Sequence, residues 1–174
     1  ERTRQPTQPP GNRSREAHGL VAMAMAGRFA LQVCDACGRT HYPPQQFCGN
    51  CLSGALTWHD VSNCGLLLAR TALHHANELY FRTRMPWRIG LVQLDAGPRV
   101  VAHLDANCVH GQRVQLSLDV DRAGNATMNA HAQSSDQSHA RDGQAHEMAI
   151  ELRDRRVLIV DGKTPLGASL AEGF

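Results

Sequence analysis

Lysine is almost missing from this 174-residue sequence: Lys163 is the only one, and arginine carries nearly all of the positive charge. Neither sign of charge is in excess, with 18 basic and 16 acidic side chains and a net charge of +2. A protein held mainly by a phosphate backbone is ordinarily far more lopsided. Long apolar runs are missing too. No stretch approaches the roughly 18 apolar residues that a membrane-spanning helix needs. Leu20–Ala26 is too short for the core of a secretory signal, so a cytoplasmic location is expected. Aromatic side chains make up only 5%, so any stacking surface is small. The chain starts at Glu1 rather than Met and reads as a piece of a longer protein. Its length suits one ordinary domain or two small ones.

What the sequence does have is cysteine in a pattern. Four of its six cysteines, Cys34, Cys37, Cys48 and Cys51, form two C-x2-C knuckles separated by ten residues. Two knuckles on a short loop bring four thiolates to one point, the tetrahedral sulfur cage that Zn2+ prefers. Two disulfides are the alternative, disfavoured because no export signal is visible. Four cysteines leave no position for water, so the expected zinc is structural rather than catalytic. Cys64 and Cys108 stand apart and read as buried or idle thiols.

Along the chain, Glu1–Gly11 is polar and proline-rich and reads as a disordered arm. Ser14 is placed to cap a helix with Glu16 in its first turn, and Ala17, Leu20, Val21 and Ala24 follow at helical spacing. A short amphipathic helix is predicted over about Arg15–Ala26, either packed on its own domain or docking to a partner. Arg28–Val33 reads as a strand entering the first knuckle, where Gly38 permits the left-handed turn, and Leu56–Val61 as the closing strand. From Gly65 the pattern is a β-meander. Strands are predicted at Leu66–Leu73, Arg88–Leu94, Val100–Leu104, Arg113–Val120 and Ala126–Ala130, with a polar loop at His74–Arg84 and turns at Asp95–Pro98 and Arg122–Asn125. Five short strands with no long helix among them indicate a small barrel or sandwich.

Residues 130–147 have almost no large apolar side chain and read as a linker. Its histidines, His131, His139 and His146, are too widely spaced for a clear metal site. Val157–Val160 is a buried-strand run, followed by a turn over Asp161–Gly167 and the start of a helix, the opening of a βα unit.

One segment carries ligand chemistry. Arg82, Arg84 and Arg88 surround Trp87, so three guanidiniums able to grip phosphate lie beside an indole able to stack on adenine. The alternative is a solvated barrel loop anchored by Trp87. His74, His75, Asn77 and Phe81 border the same loop and are candidates to face a partner. No Ser-His-Asp or Cys-His arrangement and no spaced carboxylate pair can be argued from the sequence.

The order of Cys34-x2-Cys37-Gly38, Tyr42-Pro43-Pro44, Cys48-x2-Cys51, Trp58, Gly65, the Thr71-x2-His74 region, Phe81, Pro86 and the run GLVQLDAGPRVVAH resembles the acyl-CoA-associated OB-fold family, the domain of unknown function thirty-five. The likeness covers about Gly19 to Ala130. It implies a mainly β protein with an N-terminal helix, a rubredoxin-like zinc ribbon and a five-stranded OB-fold barrel. The implied domains are an arm and docking helix (1–27), the ribbon (28–61), the OB-fold (62–130) and a linker (131–152). The implied role is an accessory, non-catalytic partner of a thiolase-superfamily enzyme or an acyl-CoA hydratase, in a hetero-oligomer that binds CoA or acyl-CoA, with ribbon and barrel together able to hold the CoA tail.

Residues 153–174 resemble the first strand and turn of a short-chain dehydrogenase/reductase, cut short. A complete domain needs on the order of 200 further residues. Without gaps only Gly167 falls on a family glycine, and Asp161 would repel a diphosphate, so NAD(P) binding is not expected. A single-stranded nucleic-acid binder and a dehydrogenase fragment are the competing functions.

Overall fold

The computed structural model describes residues 8–11, 14–133 and 147–150. The dehydrogenase-like segment 153–174, most of the linker with His139 and His146, and residues 1–7 of the arm lie outside the described residues. Among those described, no helix is long and apolar enough to cross a membrane.

A 3-10 turn at Arg15–Ala17 leads into helix α1, His18–Met25. Ser14 takes the extended conformation of a cap, but its hydroxyl makes no capping hydrogen bond. Its carbonyl instead accepts the N–H of Ala17. The chain then forms a three-stranded antiparallel sheet from β1 (Ala30–Cys34), β2 (Thr40–His41) and β3 (Leu56–Asp60), in the order β2-β1-β3. Both knuckles hang from this sheet. At the first, the N–H of Gly38 returns to Cys34 O at 2.7 Å, with Gly38 at φ +70. A side chain at that φ would crowd its own carbonyl, which is why glycine follows the pair. At the second, Leu52 adopts the left-handed conformation itself, with φ +59, and its N–H reaches Cys48 O at 2.9 Å.

The rest of the described chain is a closed barrel of β4 (Cys64–Leu73), β5 (Trp87–Leu94), β6 (Arg99–Leu104), β7 (Arg113–Val120) and β8 (Ala126–Ala132). Its order is β4-β5-β6-β8-β7, with a parallel β6–β8 pair and the rest antiparallel. This is the Greek-key barrel of an OB-fold. Period-two alternation sends Val92 and Leu94, Val100 and Ala102, Val114 and Leu116, and Met128 and Ala130 inward, all buried. A bulge between Leu67 and Ala69 shifts the parity of β4, so that Arg70 and Ala72 come to oppose Gly90 and Arg88.

Several expectations need correction. The loop His74–Arg84 contains a short helix α2, Leu79–Arg82, which drives Tyr80 into a second apolar cluster with Trp87 and Met148 outside the barrel. Strand β8 runs two residues past the expected boundary at 130, carrying His131 out of the linker and onto the barrel. The alternation simply continues, but on alanines, which carry no apolar signal in the sequence. Residues 147–150, read as linker, return to the barrel: Ala149 bridges Asp121, and Ile150 N–H donates to Val120 O at 2.8 Å. Part of the arm docks as well, since Pro9 is buried and Pro10 O accepts from Asn125 Nδ2 at 3.4 Å.

Helix α1 joins the two β units. Leu20 enters the barrel core, and burying one leucine stabilises by about 1.5–3 kcal/mol. On the ribbon side, Glu16 accepts from Gln46 Nε2 at 2.8 Å. Gly19 lies flat against the Trp58 indole, where an added Cβ would sit 2.5 Å from the nearest ring carbon. Replacing Gly19 by alanine is therefore expected to lower stability by about 1–3 kcal/mol through overpacking. Denaturant unfolding checks the loss, and tryptophan fluorescence checks the displacement of Trp58. Unchanged values for both would mean that the helix does not rest on the indole.

Candidate metal centre and ligand groove

The sheet β2-β1-β3 brings the four knuckle cysteines together, with every Sγ within 4.8 Å of the others. Cys34 Sγ lies 3.5 Å from Cys51 Sγ, and Cys37 Sγ lies 3.6 Å from Cys48 Sγ. All four are free thiols, which removes the disulfide alternative. A tetrahedral Zn–S bond of about 2.3 Å puts neighbouring sulfurs about 3.8 Å apart, so the cage has the right size for this ion. Burial pushes the Cys48 thiol up. The N–H groups of Cys51 and Asn50 and the neighbouring thiols outweigh it and bring it down to about 5. The N–H of Ser53 draws Cys51 down. The Cys34 thiol, burial and the other two thiols outweigh that and push it up to about 12. Four thiols this close resist ionising together, which is the repulsion a divalent cation removes.

A fifth side chain belongs to the cage and was missed in the sequence. His41 is buried beside it with Nε2 3.2 Å from Cys48 Sγ. Its Nδ1 lies 2.7 Å from Gln45 Nε2, and the Gln45 backbone N–H donates to Gln32 Oε1 at 2.8 Å. If the Gln45 amide donates to Nδ1, that nitrogen is an acceptor and Nε2 carries the proton. His41 then gives a hydrogen bond to a metal-bound Cys48 thiolate, the outer-shell support that orients a ligand. The sequence signal was thin: a histidine seven residues before Cys48 in a two-residue strand.

The residues expected to grip a nucleotide do not form one patch. Trp87 is only 2% exposed, edge-on to Tyr80, Phe81 and His103, and its Nε1–H donates to His103 Nδ1 at 2.9 Å. It has no open face on which adenine could stack, because it anchors the second apolar cluster. Burial of Tyr80 and Trp87 equally weakens the reading as a single-stranded nucleic-acid binder, which needs open rings. Arg84 pairs with Glu147 at 2.8 Å, donates to Tyr80 O at 2.9 Å and stacks 4.1 Å over the Tyr80 ring. Arg82 donates to the carbonyls of Ala76 and Asn77. Arg88 points the other way, to the mouth of the barrel. His74, His75 and Asn77 are exposed and Phe81 is half-buried. Cys108 is buried with its thiol on Ala130 O, and burial with the nearby Asp105 charge pushes it up to about 11. Cys64 is half-buried against Asn63.

The structure also assembles side chains that the sequence keeps far apart. Ser117 Oγ lies 3.2 Å from His131 Nε2, whose Nδ1 lies 2.6 Å from Asp105 Oδ2. These are the distances of a nucleophilic triad, yet the Ser117 hydroxyl donates to Asp119 Oδ2 at 2.6 Å. A serine has one proton to give, so this hydroxyl is not poised against His131. Asn129 Nδ2 donates to the same Asp119 oxygen at 2.7 Å, and the group braces β7, β8 and the end of β6.

Where helix, ribbon and barrel meet there is an open groove of about 370 Å3. Leu20 and Val21 line it from α1, Tyr42 and Pro43 from the ribbon, and His103 and Met128 from the barrel. Its size and mixed lining suit the flexible arm of a small-molecule cofactor.

Comparison with known proteins places two family models in tandem on this chain. They are the ChsH2 rubredoxin-like zinc ribbon domain over residues 22–57 and the ChsH2 C-terminal OB-fold domain over residues 58–119. Among solved structures, the chain is similar to one described as an Ltp2-ChsH2(DUF35) aldolase. Identity is 22% and the TM-score 0.60, covering 72% of this chain and all of that one. It is also similar to a DUF35-family protein of unknown function from Sulfolobus solfataricus, at 11% identity and a TM-score of 0.49, covering 69% of this chain and 87% of that one. At such identities the likeness is one of fold. No curated protein matches the sequence.

Zinc is expected at one ion per chain by elemental analysis. His41→Phe, which keeps bulk and removes the donor, is expected to weaken zinc binding about 10–100-fold in a chelator competition. Equal affinity would make His41 a packing residue only.

Proposed function

Because residues 22–119 carry the ChsH2 zinc-ribbon and OB-fold domains, we propose that the protein is a non-catalytic accessory subunit that binds an acyl-CoA and docks on a thiolase-superfamily enzyme or an acyl-CoA hydratase. The observation that carries this reading is the groove of about 370 Å3 between helix, ribbon and barrel, which has the size and mixed polarity for a pantetheine arm. Its walls come from three separate elements, so the ligand would report on their assembly.

The chain's own chemistry supports an accessory role. A four-cysteine zinc site is closed and offers substrate no coordination position. The serine in the Ser117–His131–Asp105 chain has committed its proton to Asp119. The bond-breaking group therefore belongs to the partner, and this chain contributes surface and ligand contacts. The solved neighbour described as an Ltp2-ChsH2 aldolase pairs two components by name, which supports a hetero-oligomer and a partner acting on a carbon–carbon bond. His74, His75 and Asn77, exposed on the loop before α2, with half-buried Phe81, are the proposed partner-facing residues.

Affinity purification from the native host is expected to recover a thiolase-like or acyl-CoA hydratase enzyme, and the purified chain alone is expected to turn over no thioester. Recovery of neither enzyme class, or thioester turnover by the isolated chain, contradicts the reading.

A further inference from the structure

The groove would take the middle of a CoA molecule, but its lining includes neither arginine nor lysine. CoA also carries a diphosphate and a phosphomonoester on its ribose, so a cationic site should lie elsewhere. At the mouth of the barrel a second, smaller cavity of about 60 Å3 lies among Arg70, Thr71, Arg88, Leu104, Asp105 and Cys108. Strand pairing builds it. The bulge in β4 turns Arg70 to the inner parity, and Arg88 shares that parity on β5, across from Ala72.

The groups around this cavity are unevenly satisfied. Arg70 donates to Cys108 O. The Arg88 guanidinium has no hydrogen bond or ion pair among the described residues, although the residue is half-buried. Asp105 is committed on one side only: Oδ2 takes His131 Nδ1 at 2.6 Å, while Oδ1 is buried with no donor. An unmet buried acceptor costs about 1–3 kcal/mol. One small cavity thus presents an uncommitted guanidinium and a second guanidinium with N–H groups to spare, while the unmet Asp105 oxygen lies buried behind it.

We propose that the barrel mouth is a phosphomonoester subsite, in which Arg70 and Arg88 hold the phosphate. The cavity, of about 60 Å3, is far smaller than the groove and admits a small group such as one tetrahedral oxyanion. Two guanidiniums suited to bidentate grip outweigh one carboxylate whose second oxygen is already engaged. A ribose 3′-phosphate is such a group, and CoA carries one. The subsite rests on the acyl-CoA reading and deepens it, by assigning one end of the ligand to one end of the barrel.

Titration calorimetry of the zinc-loaded full chain with CoA and with dephospho-CoA, which lacks only the 3′-phosphate, tests the subsite. Dephospho-CoA is expected to bind about tenfold more weakly, the loss of one charge-assisted contact. Arg88→Gln is expected to bring CoA down to that level and to leave dephospho-CoA unchanged, and the retained binding shows that the variant is folded. Arg70→Gln is expected to act in the same direction. Equal affinity of the wild type for the two ligands, or an Arg88→Gln variant that weakens both alike, overturns the subsite and leaves the acyl-CoA reading standing. Absence of binding by either ligand overturns both.

Discussion

Four sulfur ligands around one point are the constraint on which the rest of the molecule depends. The ribbon has too few apolar side chains to fold as a free unit: its buried set comprises Ala30, Leu31, Cys34 and Cys48 with the polar Gln32 and His41. Structural zinc in small ribbons supplies about 10–16 kcal/mol of folding free energy, far more than so small a core can. The thiol cage therefore fixes β1, β2 and β3, and through them the position of Trp58 and of the Tyr42-Pro43-Pro44 step. A Gln32–Gln45–His41 chain behind Cys48, with Gln32 and His41 buried and Gln45 half-buried, gives the cage a second layer that holds the Cys48 thiolate in place.

Helix α1 converts that local order into a functional surface. It rests on Trp58 at Gly19 and plugs the barrel core with Leu20, adding to the direct packing of Leu31 from the ribbon into that core. The groove lies on the line of that junction. Loosening the ribbon would free the Tyr42 and Pro43 wall of the groove, which couples metal occupancy to the shape of the groove. On strands β7 and β8, Asp119 gathers donors from Ser117 and Asn129 while His131 ties β8 to Asp105. This polar brace stiffens the strands that carry both the groove wall and the barrel mouth.

How much of this was legible in the sequence follows from the range of each interaction. Cysteine spacing is a local rule, so the metal cage could be read directly, with its left-handed glycine after Cys37. Strand alternation is local as well, and Arg113–Val120 has the same bounds in the sequence reading and in the structure. The failures concern faces and distances. Arg82 to Arg88 looked like one cluster because the residues are contiguous, but the chain passes from helix to strand there, and adjacent strand residues point to opposite sides. Trp87 went into the outer cluster and Arg88 into the mouth. Arg70 and Arg88 meet only because β4 pairs β5 with a bulge in register, which no composition reveals. His131 was lost to the linker because Ala130 and Ala132 carry no apolar signal, and the Ser117–His131–Asp105 chain depends on β8 inserting between β6 and β7.

Hydrogen–deuterium exchange on the full chain, with zinc bound and after chelation, tests the central claim most directly. The account predicts that chelation abolishes protection across β1 to β3 and, with it, in α1, while β4 to β8 keep most of theirs. Unchanged protection of the ribbon and the helix in the metal-free protein would contradict it, because the fold would then stand without the ion that is supposed to hold it.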